Sequence, residues 1–172
     1  MTAGSVETTR PILALGLGNL LLADDGVGLR LLEDLRRAAG QHLDVEFIDG
    51  GTQGLALLGY LAERPSVLIL DAVGFGASPG TVHVLENAVI GGLRVPGAST
   101  PHEGSALEVL AAARLLGQSP GYVVIVGIEP ARVRTGIGLS DPVEAALPLA
   151  LAEAMRILES LRSREYVPGS PG

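Results

Sequence analysis

Apolar runs bounded by turn residues recur along the chain at 12–15, 67–70 and 122–128, the pattern of parallel strands covered on both faces. A shorter, mixed run at 45–48 is a candidate fourth strand. Between these runs, apolar residues recur at helical spacing: Val27, Leu31 and Leu35, then Leu55, Leu58 and Ala62, then Leu107, Leu110, Ala111 and Leu115. Strands alternating with helices need right-handed crossovers to bring parallel strands together. The predicted fold is a doubly wound α/β domain: a mostly parallel twisted sheet with helices on both faces.

Two segments refine this picture. Residues 80–85 follow Ser78-Pro79-Gly80 and alternate Val82 and Val84 with Thr81 and His83, too close to Leu70 for a helix between; they fit an antiparallel hairpin or edge strand. The last helix is expected to start with Asp141 as N-cap, Pro142 at N1 and Glu144 at N3, to bury Leu151, Met155 and Leu158 on one face, and to kink at Pro148. A length of 172 residues suits one domain with one core, spanning about 10–163; the ends, with Pro168, Gly169, Pro171 and Gly172, are expected to fray. No internal repeat is visible.

Composition narrows the function. Hydrophobic residues make up 47% and charged residues 18%, which calls for a packed interior. The net charge of −7 repels polyanions, so neither nucleic acid nor an acidic membrane surface is an expected partner. Without cysteine there is no disulfide, thiolate metal site or cysteine nucleophile, leaving carboxylates, hydroxyls and three histidines. The first ten residues have neither a basic start nor an apolar core, and the apolar runs at 11–23 and 145–158 are too short or too interrupted to span a bilayer, so a cytoplasmic location is expected.

In doubly wound sheets ligands bind beyond the carboxyl ends of the strands, so the polar residues there matter most. Asp24 and Asp25 follow the first strand, Asp49 ends the second and Asp71 the third; His102 lies in STPHEG, just before a helix. Each has a structural alternative. One of Asp24 and Asp25 is expected to cap a helix, which leaves the other free. Asp71 reads equally as a buried cap or turn acceptor bonded to the backbone near Gly74 and Gly76. Asp49 reads as an Asx turn, with Thr52 capping the next helix. His42 and His83 are expected to be solvated. Gly16-Leu17-Gly18 opens like a dinucleotide fingerprint, but Leu21 stands at the third glycine position and two aspartates follow.

Thr100, Pro101, His102 and Glu103 read as N-cap, N1, N2 and N3 of a helix whose positive end favours a neutral imidazole. Two carboxylates and such an imidazole would form an open oxygen and nitrogen site suited to Zn, Ni or Mn-type ions; a simple His–Asp hydrogen bond fits the same residues.

The segments GLGNLLLADDGVGLR, FIDGGTQGLALLGYL, LILDAV, PHEGSALEVL and VGIEP…GIGLSDPVEAALPLAL, in that order from about Ile12 to about Leu158, resemble the [NiFe] hydrogenase maturation proteases. The resemblance implies a cytoplasmic endopeptidase that removes a C-terminal extension from the hydrogenase large-subunit precursor once nickel is in place. It also implies three metal-recognising side chains, Asp25, Asp71 and His102, of which Asp25 stands where relatives often carry Glu. Asp49 is implied to help recognise the substrate, and Thr52 is grouped with it. Nickel would be supplied by the precursor, with no other cofactor.

Two mechanisms fit: metal-assisted hydrolysis, or a pair of aspartates, Asp25 and Asp71, sharing a proton. The missing Asp-Thr-Gly signature favours the first. The 80–85 edge is expected to grip an extended peptide, and the loop from about 86 to 99 to adapt to the partner. The rival readings are a non-cleaving nickel-binding checkpoint or scaffold for the precursor, and a flavodoxin-like domain that binds a small molecule.

Overall fold

A computed structural model describes residues 12–41, 44–62, 64–87 and 105–163. They form a five-stranded sheet from β1 (Ile12–Leu17), β2 (Val45–Gly51), β3 (Ser66–Ala72), β4 (Val82–Glu86) and β5 (Tyr122–Ile128). The spatial order is β2-β1-β3-β5-β4, with every pairing parallel except the antiparallel β4–β5 edge. The fourth parallel strand, a short candidate in the sequence, runs to Gly51; the 80–85 segment is the expected antiparallel edge, with β5 as its partner.

The helices are α1 (Val27–Ala39), α2 (Leu58–Leu61), α3 (Ala106–Leu115) and α4 (Asp141–Ser163). Side chains alternate across each strand, so one core divides into two layers. Ile12 and Ala14 of β1, Leu68 and Leu70 of β3, and Val124 and Val126 of β5 pack with α1 and α4. Leu13, Leu15, Val67, Ile69, Val123 and Ile125 pack against α2 and α3. Both faces are thus covered, which is why the strands read as continuous apolar runs. No helix among the described residues is long and apolar enough to cross a membrane.

Several helix starts differ from expectation. The periodicity through Leu55 and Leu58 yields only a 3-10 turn (Gly54–Leu57) and the four residues of α2, with Gln53 rather than Thr52 at the cap position and no side-chain cap. Helix α3 is capped by Ser105, whose Oγ accepts from the Glu108 N–H at 3.4 Å, so its start lies beyond the expected Thr100. Thr100, Pro101, His102, Glu103, His42 and most of the 86–99 loop lie outside the described residues. At α4 the carbonyl of Ser140 accepts from Glu144 N at 2.9 Å, which makes Ser140 the cap residue in place of Asp141. The helix runs unbroken through Pro148.

Candidate active site

The chain reverses its direction of sheet growth at β1 and β3: β2 lies to one side of β1, while β3 and everything after it lies to the other. A crevice at the carboxyl ends of such strands is where doubly wound folds place ligands. Two loops meet there. One leaves β1 through Gly18, whose φ of +126° and contact with the Asp25 carbonyl leave no room for a Cβ, and enters a 3-10 turn (Ala23–Gly26) before α1. The other follows Asp71, the penultimate residue of β3. Helix α1 comes close to both strand ends because Gly28 has no side chain; a Cβ there would strike the Leu17 and Leu70 carbonyls and lie 2.9 Å from Asp71 Cα.

The two neighbouring aspartates divide their roles. Asp24 is fully buried, and its carboxylate accepts from Ala131 N and Arg132 N at 2.9 Å, Ser140 N at 2.6 Å and Ser140 Oγ at 2.7 Å. Burial alone would push its carboxyl up, but these bonds outweigh burial and hold it below the usual range. Asp25 is half-buried; its Oδ2 accepts from Asn19 N at 2.9 Å, and its Oδ1 accepts nothing among the described residues. Contrary to the expectation from the sequence, neither caps a helix: Asp24 binds a distant loop, and Asp25 is held by Asn19 N through one oxygen.

Asp71 is buried beneath this loop. Its Oδ1 accepts from Ala72 N and its Oδ2 from Ala106 N, each at 2.9 Å. Of the structural alternatives, turn bonding near Gly74 and Gly76 is not made, whereas Asp71 receives the first N–H of α3 as a buried cap would. Burial pushes the carboxyl up to about 7, opposed by the two backbone hydrogen bonds and assisted by the negative charge of Asp25. The Asp25 charge therefore acts on Asp71 from the neighbouring loop.

The other sequence candidates sit differently. Asp49 is exposed near the end of β2, opposite Gly16, and makes no side-chain hydrogen bond among the described residues. Thr52 is exposed beside it. Among the described residues no three His, Asp or Glu side chains form a metal-holding group, and His102 lies outside them.

Sequence reasoning missed Glu129 and misjudged His83. Glu129, buried just past β5, accepts from Phe75 N and Gly76 N, and its Oε2 lies 3.0 Å from His83 Nε2. His83 is therefore half-buried and paired, with its ring edge-on to Phe75 at 5.0 Å. The signal was a carboxylate ending an apolar strand, as at Asp71, within VGIEP.

Comparison with known proteins places the chain in a family. The family model for hydrogenase maturation protease matches residues 29–157. The chain belongs to the hydrogenase maturation protease family. The hydrogenase 2 maturation protease of Escherichia coli K12 is 37% identical over 148 residues, covering 86% of this chain and 90% of that one. The hydrogenase expression/formation protein HupD of Rhizobium leguminosarum is 35% identical over 150 residues, covering 87% and 74%. Among solved structures, the hydrogenase maturating endopeptidase HybD of E. coli superposes with a TM-score of 0.75 at 35% identity, covering 87% of this chain and 93% of that one. This hydrogenase maturation protease is therefore a peptide hydrolase with a five-stranded mixed sheet.

Proposed function

We propose that the protein removes a C-terminal extension from a [NiFe] hydrogenase large-subunit precursor after nickel insertion, in the cytoplasm, with Asp25, Asp71 and His102 meeting the nickel that the precursor carries. The observation that supports it is the Asp25–Asp71 pair: two carboxylates in one crevice, one of them pushed up to about 7 by burial and by the other's charge. Such a pair suits a cation. A divalent ion brought by the precursor offsets the repulsion and favours ionised Asp71, whereas without it Asp71 stays about half protonated near neutrality. His102 precedes Ser105, the cap of α3, by three residues, and the first N–H of that helix already bonds Asp71.

On this reading, metal loading and cleavage share one site. Asp71 is fixed by two backbone N–H groups and by the packing of Gly28, so it supplies an immobile oxygen pair. Asp25 is the more accessible carboxylate, and its Oδ1 is available to take a proton from an attacking water. The peptide-hydrolase family favours this reading over a non-cleaving scaffold and over a flavodoxin-like small-molecule domain.

The surroundings suit a protein substrate. Leu20 and Leu21 in the first loop, Leu55 after β2 and Ile137 before α4 are all exposed at the same end of the sheet, and Leu21 O accepts from Gly136 N at 2.9 Å. Apolar side chains grouped beside a polar crevice mark protein contact surfaces. Asp49 and Thr52 stand exposed on the neighbouring strand end as substrate contacts.

The test is the intact mass of a nickel-loaded large-subunit precursor from the same host, with and without this protein, beside a nickel-free precursor. Loss of a defined C-terminal peptide from the nickel-loaded sample alone is the expected result. Cleavage of both samples would remove nickel recognition from the proposal, and cleavage of neither would overturn it.

A further inference from the structure

Asp24 is a buried carboxylate whose bonds lie across a loop interface instead of within its own helix. Its two oxygens take four hydrogen bonds from Ala131, Arg132 and Ser140, 107 to 116 residues away in sequence. The backbone closes the same seam: Ala23 N donates to Gly136 O at 2.8 Å, Asp24 N to Arg132 O at 3.2 Å and Gly136 N to Leu21 O at 2.9 Å. Between these bonds Ala23 holds φ at +53°, a left-handed conformation that costs a residue with a Cβ about 1–2 kcal/mol. This turn sends the Asp24 side chain inward and leaves the next residue, Asp25, at the crevice.

We propose that Asp24 is a positioning residue: by anchoring the first loop to the 131–140 loop it fixes the peptide that carries Asp25 and so aims the Asp25 carboxylate at the crevice beside Asp71. The proposal rests on the hydrolase reading for its consequence in catalysis, but not for its geometry. A purely stabilising buried carboxylate would not need the strained Ala23 turn, and a helix cap would bond the N–H groups of α1, which Asp24 does not. Asparagine cannot replace it, because an amide nitrogen would face backbone N–H donors on at least one side. The anchoring loop also carries exposed Arg132, Arg134 and Ile137, so the seam ties Asp25 to a surface that a protein substrate would cover.

The Asn19 N–H, which donates to Asp25 Oδ2, is a local reporter of where that carboxylate lies. In Asp24→Asn, with folding confirmed by thermal melting, the Asn19 amide resonance is expected to move while those of α3 stay in place. The kcat for precursor processing is expected to fall about 100-fold, with KM little changed. Ser140→Ala, which removes one of the four bonds, is expected to give a smaller change of the same kind, and it carries the test if Asp24→Asn does not fold. Wild-type kcat in the folded Asp24→Asn protein, or a lowered kcat with the Asn19 resonance unmoved, would overturn the proposal. An unmoved Asn19 resonance in Ser140→Ala would do the same where that variant alone is available. If the wild-type protein cleaves no precursor, the hydrolase reading fails, and the Asn19 resonance still decides whether Asp24 positions Asp25.

Discussion

The Asp71 carboxylate accepts the backbone N–H of Ala106 at 2.9 Å, joining the end of β3 to the start of α3 across 35 residues of chain. A helix N-terminus favours a charged carboxylate, yet burial and the Asp25 charge win and the group titrates at about 7. The consequence for stability follows from linkage. Between an unfolded value near 3.9 and the folded value of about 7, the native chain holds a proton that the unfolded chain has lost. This contribution is fully present below about pH 4 and is lost as pH rises through 7, at up to about 1.4 kcal/mol per pH unit. Urea unfolding across that range should show stability falling with pH in the wild type and a flatter profile in Asp71→Asn. Equal slopes in the two proteins would show that Asp71 is not held protonated.

Asp25 makes a different prediction, because it is half-exposed and one of its oxygens is unbonded among the described residues. Asp25→Asn is expected to fold normally and to release no C-terminal peptide, with a rate loss on the order of 100-fold or more. His102→Ala belongs to the same site in the proposed function and should give the same result. Full processing by both variants, read by intact mass, would remove the site assignment.

Gly28 couples packing to the site. Adding a methyl group in Gly28→Ala drives a Cβ into the Leu17 and Leu70 carbonyls, and these strand ends carry the loops of Asp25 and Asp71. The clash is with backbone, which cannot rotate aside, so a loss of roughly 1–3 kcal/mol is expected. For a chain of this size that lowers Tm by about 2–4 °C per kcal/mol, with a parallel loss of processing. An unchanged melting curve would show that α1 has room to move away from the sheet.

The layered sheet was legible in the sequence because strands covered on both faces must be apolar throughout, and 12–15, 67–70 and 122–128 are. Asp71 could be singled out because it ends such a run, and Asp25 because it lies in the loop that follows β1, on the side where doubly wound folds place ligands. The helix starts were less so: α3 is capped by Ser105, in place of the expected Thr100, through the local Ser-x-x-Glu spacing to Glu108, whereas Ser140 at the start of α4 is tied to Asp24 across 116 residues that local spacing does not encode. Asp24 and Glu129 bond to segments more than 50 residues distant, so no local pattern distinguishes them from ordinary caps.

Exposed Leu21 and Ile137 lose little in the folded chain when made polar, since both side chains already face solvent. Leu21→Ser and Ile137→Ser are expected to leave stability within about 0.5 kcal/mol of wild type. If they contact the precursor, each raises KM for processing and leaves kcat nearly unchanged, because an apolar side chain makes no hydrogen bond to Asp25 or Asp71. Steady-state kinetics on a nickel-loaded precursor separates the two parameters. A fall in kcat at constant KM would place these residues in the chemistry instead.

Glu129 and His83 form a second buried polar unit, and removing either partner should have unequal effects. Glu129 anchors the loop after β3 through Phe75 N and Gly76 N, whereas His83 adds one contact from the edge strand. In Glu129→Gln an amide NH2 replaces one acceptor oxygen and leaves a donor facing another donor, at a cost of about 1–3 kcal/mol. In His83→Ala the carboxylate keeps both backbone bonds, so the loss should be smaller. Denaturant unfolding ranks the two, and hydrogen exchange at the Phe75 and Gly76 amides should quicken mainly in Glu129→Gln. The reverse ranking would mean that the β4 edge depends on His83 more than the loop depends on Glu129.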